Sequence, residues 1–298
     1  MGATNDLPCS GYEWQKSSQC PLKSPGICNY AQSTFDQSPS DLGCLTRRNV
    51  GVDGCKAPSQ KISATVHVSD GVRIYAIGDV HGRADLLAWC FASIDADIAT
   101  CQAPQVIQVL LGDYIDRGPQ SRQVLDLLVR RSHHHRVVCL KGNHETYIPD
   151  FLQEPAILGQ WRHFGGLETL VSYGVTPSIN ADEREQRELA AAFDRALPRS
   201  HRRFLANLKT SFACGSYFFV HAGVRPGVPL SAQHEQDLLW IREDFLLHEE
   251  GFGKIVVHGH TPVMEPDIRP NRINIDTGAY ATGRLTCLVL EGEDVAFI

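Results

Sequence analysis

The chain has 298 residues, of which 43% are hydrophobic, so it can bury a sizeable core as one large domain or two small ones. A formal net charge of −6, with Lys and Arg scattered along the chain, gives no basic surface for nucleic acid. No apolar run approaches the roughly 18 residues that a membrane span requires. No secretory or mitochondrial leader is visible. We therefore expect a soluble cytoplasmic protein with neither nucleic acid nor a membrane as a partner.

Residues 1–69 differ in composition from the rest of the chain. Ser, Gln, Pro, Gly and Cys dominate there, and no strand or helix period is sustained. Such a segment cannot offset its ordering entropy by burying apolar surface. We predict a disordered tail or upstream sequence from a misplaced start codon, with a regulatory or docking tail as the alternative. The predicted folded domain is 70–298.

Strands and helices alternate after this tail. Apolar runs predict strands and 3.6-residue periods predict helices in the following order: strand 72–77, helix 84–99, strand 106–111, helix 119–131 and strand 137–140, with a further helix beginning near residue 144. This βαβαβ series predicts an α/β domain with parallel strand pairs.

The second half of the chain changes in character. The segment 150–210 is rich in charge and helix formers and predicts a helical insert at the rim of the site, in which Pro198 opens a helix. Short strands are predicted after it at 217–220, 254–257, 272–275 and 285–290. Gly-rich turns between them suggest a second sheet that is more antiparallel than the first.

Polar clusters follow or adjoin most of the predicted strands. In chain order they are Gly-Asp-Val-His-Gly (78–82), Gly-Asp-Tyr-Ile-Asp-Arg-Gly (112–118), Gly-Asn-His-Glu (142–145), His-Ala-Gly (221–223), Trp-Ile-Arg-Glu (240–243) and Gly-His-Thr (259–261). Strand ends are where α/β folds usually place their active sites. Carboxylate, imidazole and amide ligands without thiolate suit hard or borderline divalent metals.

The clusters supply enough ligands for two ions. Asp79 and His81 can point at one metal, and Asp113 has two oxygens with which it could bridge that metal and a second one. The shell of the second ion would be completed by Asn143, His221 and His260. A hydroxide shared by two cations is a nucleophile at neutral pH, because the metals lower the pKa of bound water. The predicted chemistry is in-line attack on the phosphorus of a phosphate ester.

The leaving oxygen of such an ester needs a proton. His144 follows the predicted ligand Asn143 and would project towards that oxygen, and Asp116 could orient its imidazole. Arg117 and Arg242 offer planar cations suited to phosphate oxygens.

These motifs resemble those of the phosphoprotein phosphatases, the metal-dependent serine/threonine phosphatases, and most closely the bacterial and phage-lambda-type branch. The resemblance spans about 70–298. It implies a metallophosphatase sandwich, two mixed β-sheets with helices outside. It also implies the site roles just given: Asp79, His81 and Asp113 on one metal; Asp113, Asn143, His221 and His260 on the other; His144 as the acid with Asp116; and Arg117 and Arg242 on the phosphate.

The same resemblance implies manganese as the metal pair, with iron or zinc as alternatives, and a phosphoprotein or small phosphoester as the substrate. In the wider superfamily the last motif is usually Gly-His-x-His, whereas this chain has Pro262 at the second histidine position, which favours the protein phosphatase type. Symmetrical dinucleoside tetraphosphate hydrolases typically lack the aspartate found here as Asp116. That activity therefore ranks below the protein phosphatase and is kept as the alternative, together with hydrolysis of phosphotyrosine or small phosphoesters.

Three further alternatives stay open. His258 stands two residues before His260 and competes for the ligand role; its valine neighbours favour a strand position. The run of histidines 133–135 is interpreted as a solvated loop. A non-catalytic phosphate-binding module is the alternative to an enzyme.

Overall fold

The structure, a computed structural model, describes residues 66–298. The prediction for the tail therefore concerns residues that lie almost entirely outside the described range. Val68, two residues before the predicted start of the folded domain, is buried and donates a backbone hydrogen bond to the carbonyl of Gly292 at 2.9 Å.

The α-helices of the described chain are α1 (Ala84–Ile98), α2 (Ser121–His134), α3 (Tyr147–Gln153), α4 (Leu158–Trp161), α5 (Gly166–Ser172), α6 (Glu183–Ala196), α7 (Arg199–Ala206), α8 (Glu235–Trp240), α9 (Glu243–Leu246) and α10 (Ala279–Thr282). Short 3₁₀ turns lie at His144–Thr146, Pro155–Ile157, Arg162–Phe164 and Leu230–Ala232. The segment between β3 and β4 is thus helical, as predicted, and Asp182 caps α6 by accepting the backbone N–H of Glu185 at 2.8 Å.

The strands are β1 (Val72–Ile77), β2 (Gln105–Leu110), β3 (Val137–Cys139), β4 (Ser211–Cys214), β5 (Tyr217–Val220), β6 (Ile255–His258), β7 (Asp267–Ile268), β8 (Arg272–Asn274), β9 (Cys287–Glu291) and β10 (Asp294–Phe297). They form two five-stranded sheets, in the orders β10-β9-β1-β2-β3 and β4-β5-β6-β8-β7. Both sheets are mixed, which confirms the predicted class of an α/β sandwich of two mixed sheets flanked by helices.

Parallel pairing is confirmed for the first three strands, since β1 pairs with β2 and β2 with β3 in parallel register. The second sheet is not the more antiparallel of the two. Its central pairs β5–β6 and β6–β8 are parallel, and antiparallel pairs occur only at its edges. The first sheet has the same balance, because β9 pairs antiparallel with β1 and β10 pairs antiparallel with β9.

Apolar side chains explain why the two sheets stack. Alternate residues of β1 and β2, such as Ile74 and Val109, lie in one buried cluster with Phe219 and Val257 of the second sheet. The opposite faces of β1 and β2 pack against helices, with Leu87 of α1 and Leu128 of α2 in a separate cluster. Because β1 is buried on both faces, its residues other than the half-buried Arg73 are apolar or aromatic.

The structure differs from the prediction in three local respects. Helix α2 begins at Ser121, two residues after Pro119, and continues through His133 and His134, so most of the histidine run forms the last exposed helical turn and not a loop. Strands β4, β7 and β10 have no counterpart in the sequence prediction. Within residues 66–298 no helix combines the length and apolar character needed to cross a membrane.

Candidate metal and phosphate site

The predicted site loops lie at the carboxyl ends of parallel strands. The loop 78–82 follows β1, the loop 112–118 follows β2 and the loop 142–145 follows β3. In the second sheet His221 follows β5 and His260 follows β6. The two sheets meet here, because the ring of His221 contacts the carbonyl of Leu111 at 3.0 Å.

Asp113 lies at the centre of the convergence. Its Oδ2 is 3.4 Å from Nε2 of His81, and its Oδ1 is 3.4 Å from Nε2 of His221. All three side chains are buried. Two imidazoles therefore face opposite oxygens of one carboxylate, which is the arrangement that a bridging ligand of two ions requires.

The hydrogen bonds of the two rings fix which nitrogen is free. Nδ1 of His81 lies 3.0 Å from the carbonyl of Ile115, and Nδ1 of His221 lies 3.0 Å from that of Leu111. A carbonyl can only accept, so each neutral ring keeps its proton on Nδ1. Burial lowers the pKa of His221, and it lowers that of His81 to about 3. The unprotonated Nε2 atoms of His81 and His221 thus face the Asp113 carboxylate with no proton between them. A cation between each Nε2 and the carboxylate oxygen that it faces would be bound by both.

Asn143 and His260 lie beside this carboxylate. Oδ1 of Asn143 is 2.9 Å from Nε2 of His221 and 2.9 Å from Nδ1 of His260. Nε2 of His260 is buried and has no hydrogen-bond partner within residues 66–298. His258 packs edge-on against Phe245, with ring centroids 4.9 Å apart, and lies outside this group.

Asp79 is buried at the same edge. Its Oδ2 accepts the backbone N–H of His260 at 3.0 Å, whereas its Oδ1 is buried without a partner among the described residues. Burial, and then the nearby carboxylates of Asp276 and Asp113, raise the pKa of Asp79. A carboxylate in such surroundings is costly to keep charged unless a cation lies next to it.

The donor atoms fall into two groups, in each of which they lie within 4.8 Å of one another. One contains His81, Asp113 and His144, and the other contains Asp113, His221 and His260. Asp79 belongs to neither group. In the first group, His144 is found where the sequence predicts Asp79. The donor set of nitrogens and oxygens, the shared carboxylate and the unpartnered atoms fit a pair of divalent ions.

His144 and Asp116 form a buried pair. Nδ1 of His144 lies 2.7 Å from Oδ2 of Asp116. The same carboxylate accepts the indole N–H of Trp161 at 2.8 Å and the hydroxyl of Thr169 at 2.6 Å. Burial alone would lower the pKa of His144, but Asp113 and Asp116 outweigh it, so that the pKa is raised. Sequence reasoning missed Trp161 and Thr169, because neither lies in a recognisable motif.

Both predicted arginines lie at this site without a carboxylate partner within residues 66–298. Nη2 of Arg117 is 3.4 Å from Nε2 of His144. Arg242 is exposed, and its charge contributes to lowering the pKa of His221 and His260, after burial and the charges of other site residues. No carboxylate oxygen of the described chain lies within 4.0 Å of either guanidinium, so both charges are available to an anion.

Glu145 is a third residue whose importance the sequence did not reveal. One of its oxygens accepts the backbone N–H of Asp113 at 3.0 Å and that of Gly142 at 2.8 Å, and the other accepts that of Tyr114 at 2.8 Å. Burial raises the pKa of Glu145 to about 7. The side chain therefore ties the loop after β2 to the loop after β3. The sequence signal that could have indicated this role is the position of Glu145 directly after Asn143 and His144 in the third cluster.

Backbone strain is concentrated in these loops. Every non-glycine residue of the described chain with a positive φ is a predicted site residue: His81 (42°), Asp113 (50°), Asp116 (71°), Arg117 (65°) and His260 (66°). Such conformations cost of order 1–3 kcal/mol each and cluster at functional sites. Glycines allow the loops to touch, since a Cβ on Gly142 would lie 2.2 Å from Oδ1 of Asp113.

This chain is similar in sequence or in fold to several known proteins. The chain is 27% identical over 197 residues to the asymmetrical bis(5'-nucleosyl)-tetraphosphatase PrpE of Anoxybacillus flavithermus, covering 60% of this chain and 73% of that protein. It is 26% identical over 233 residues to the protein of the same name from Oceanobacillus iheyensis, covering 72% and 87%. The crystal structure of a provisionally assigned diadenosine tetraphosphatase superposes with a TM-score of 0.52 at 19% identity, covering 80% of this chain and 98% of that one, and shares the fold.

The relatives carry the asymmetrical name, whereas the alternative predicted from the sequence is the symmetrical reaction. What they share with this chain is the superfamily. A family model described as calcineurin-like phosphoesterase matches residues 72–282, a range that runs from β1 to α10 and includes all the converging loops. The chain belongs to the calcineurin-like phosphoesterase family.

Proposed function

We propose that this protein is a two-metal phosphomonoester hydrolase of the serine/threonine protein phosphatase type. The observation that carries the proposal is the contact of 2.7 Å between His144 and Asp116, both buried, beside Asp113. A serine or threonine alkoxide is a poor leaving group and needs a proton donor in the transition state. A histidine whose pKa is raised by two carboxylates is suited to that task.

The proposed ligands are the six residues predicted from the sequence: Asp79, His81, Asp113, Asn143, His221 and His260. When bound, two divalent ions would neutralise phosphate charge and lower the pKa of water. Manganese is the proposed pair, with iron or zinc as alternatives.

The remaining residues act on the substrate. Arg117 and Arg242 hold the phosphoryl oxygens, since their cations have no carboxylate partner in the described chain. His144 donates its Nε2 proton to the leaving oxygen, and Asp116 keeps the other proton on Nδ1 and favours the charged ring. Trp161 and Thr169 hold Asp116 in place. The proposed substrate is a phosphoprotein or a smaller phosphomonoester in the cytoplasm.

A second candidate is favoured by the relatives, which are named as asymmetrical bis(5'-nucleosyl)-tetraphosphatases. An aromatic side chain that a nucleoside could contact lies beside the site, since the half-buried ring of Trp240 is 6.3 Å from that of His260. Trp240 also lines a cleft of about 520 Å³ together with Lys141 and Thr146. The leaving group of this reaction is a nucleotide phosphate, which requires less help from an acid than an alkoxide does.

Side-by-side kinetics separate these functions. Wild-type protein with manganese is assayed on a phosphoserine peptide, a phosphotyrosine peptide and diadenosine tetraphosphate. A higher kcat/KM on the phosphoserine peptide supports the proposal. Preference for the dinucleotide, with ATP and AMP as products, would replace it by the second candidate, and two ADP molecules would indicate the symmetrical reaction.

Two variants test whether any such turnover belongs to this site. His81→Asn removes a proposed ligand, whereas His133→Asn changes an exposed histidine at the end of α2. Turnover should be abolished in the first variant and retained in the second. Full turnover in His81→Asn would refute the ligand assignment, and wild-type protein inert with every divalent ion would refute the hydrolase.

A further inference from the structure

The guanidinium of Arg117 rests against an aromatic ring. Its Cζ lies 4.6 Å from the ring centroid of Tyr280, well within the range of a cation–π interaction. Its Nη2 also lies 3.4 Å from Nε2 of His144. A half-buried cation is thus held by the face of a ring and not by a carboxylate.

This kind of support has a chemical consequence. A carboxylate partner would accept the N–H groups of Arg117 and compete with a phosphate for them. A ring face attracts the charge through its quadrupole and leaves the N–H edge free. Tyr280 can therefore restrict the motion of Arg117 without occupying the donors that a phosphoryl group needs.

The ring of Tyr280 is itself positioned by the site. It meets the ring of His81 edge-on, with centroids 5.4 Å apart and an interplanar angle of 83°, and it remains 39% exposed. The turn that carries it is fixed by Arg83, which donates to the carbonyl of Ala279 at 3.0 Å. One aromatic side chain thus connects a proposed metal ligand with a proposed phosphate ligand.

Tyr280 belongs to none of the six sequence motifs. Resting on the proposed function, we propose that Tyr280 is a positioning residue that orients Arg117 towards the phosphoryl group and thereby sets the affinity of the site for phosphate monoesters. The role belongs to the ring, because the contact with Arg117 is made by its face.

A double-mutant cycle tests this role. Binding of inorganic phosphate is measured by calorimetry, with and without manganese, for wild type, Tyr280→Leu, Arg117→Ala and the double variant. Tyr280→Leu should weaken phosphate binding by about 3- to 10-fold in the wild-type background. In the Arg117→Ala background the same change should have no further effect, because the partner of the ring is gone.

Two further variants distinguish the ring from general packing. Tyr280→Phe keeps the ring face and should restore most of the affinity lost in Tyr280→Leu. Trp89→Leu removes an aromatic ring that is 65% exposed and lines a separate cavity beside Ile298, and it should leave phosphate binding unchanged.

The outcomes separate this inference from the proposed function. Additive effects in the cycle, equal losses in the Phe and Leu variants, or wild-type protein that binds no phosphate would overturn the role of Tyr280. The KM for p-nitrophenyl phosphate should follow the same pattern as phosphate binding, with kcat little changed. Coupled phosphate binding without turnover on any phosphoester would overturn the hydrolase and support the Tyr280–Arg117 interaction.

Discussion

The carboxylate of Asp116 lies 2.7 Å from Nδ1 of His144, and the side chains of both residues are almost completely buried. The ring thereby turns its Nε2 towards Asp113, whose Oδ2 is 3.7 Å away. A proton on Nε2 would thus lie where the proposed ligands converge.

His144→Asn should slow hydrolysis in proportion to how much the leaving oxygen needs a proton. We expect a loss of about 10²–10⁴-fold on a phosphoserine peptide or an alkyl phosphate and a much smaller loss on p-nitrophenyl phosphate, whose phenoxide leaves without an acid. The measurement is kcat/KM on both substrates. Equal losses would remove His144 as the acid.

Asp116→Asn should shift the alkaline limb of the pH profile. An acid works only while protonated, and the carboxylates of Asp113 and Asp116 raise the pKa of His144 against the lowering effect of burial. Removing one carboxylate lowers that pKa, so activity on the phosphoserine peptide should fall at a lower pH than in wild type. The profile on p-nitrophenyl phosphate is the control and should move little. A limb that stays in place on the peptide would contradict the role of Asp116.

The short-range parts of this site could be predicted because each motif follows a recognisable apolar strand. The strand β1 occurs at the predicted residues, and the ends of β2 and β3 differ by one residue from those predicted. Parallel strands place their carboxyl ends at one edge, so sequence alone indicated that Asp79 and Asp113 would meet.

Long-range partners could not be predicted in this way. Trp161 and Thr169 reach Asp116 from helices more than 40 residues further along the chain, and no period or spacing connects them to it. The edge strands β4 and β10 were missed because an edge position relaxes the apolar pattern. In β4 one residue is exposed and the others are half-buried, and β10 begins with the exposed Asp294.

The choice between two neighbouring histidines gives a prediction about metal content. Nδ1 of His260 faces Asn143 Oδ1 at 2.9 Å, whereas the ring of His258 packs against Phe245. His260→Asn should reduce the bound metal from two ions towards one per chain. His258→Leu keeps the packing volume and should retain both. Elemental analysis after dialysis against manganese measures the stoichiometry, and metal loss in His258→Leu alone would reverse the assignment.

Glu145→Gln should loosen the site without removing a ligand. The carboxylate accepts backbone N–H groups from Asp113, Tyr114 and Gly142, and an amide has only one oxygen with which to accept them. At least one buried N–H then loses its acceptor, at a cost of about 1–3 kcal/mol. We expect a lower unfolding temperature and weaker manganese binding.

The matched control for that change is Glu168→Gln, at an exposed glutamate of α5. Glu168→Gln should leave the unfolding temperature and the manganese affinity unchanged. Unfolding temperature and manganese affinity that are the same in Glu145→Gln and wild type would show that the tie between the two loops contributes nothing to the site.

Two glycines with positive φ separate the cost of backbone strain from the cost of contact between loops. Gly82 has a φ of 62°, and a Cβ there would lie 2.4 Å from the carbonyl oxygen of Gly118. Gly174 has a φ of 79° and no heavy atom within 4 Å of that position. Alanine at either site incurs left-handed strain of about 1–2 kcal/mol, but only Gly82→Ala also pushes the loop 78–82 away from the loop 112–118.

Gly174→Ala should therefore lower the unfolding temperature by a few degrees and keep manganese binding. Gly82→Ala should lower it further and weaken manganese binding, because the two loops carry His81 and Asp113. Equal effects of the two changes on both measurements would show that the close approach of these loops does not control the site.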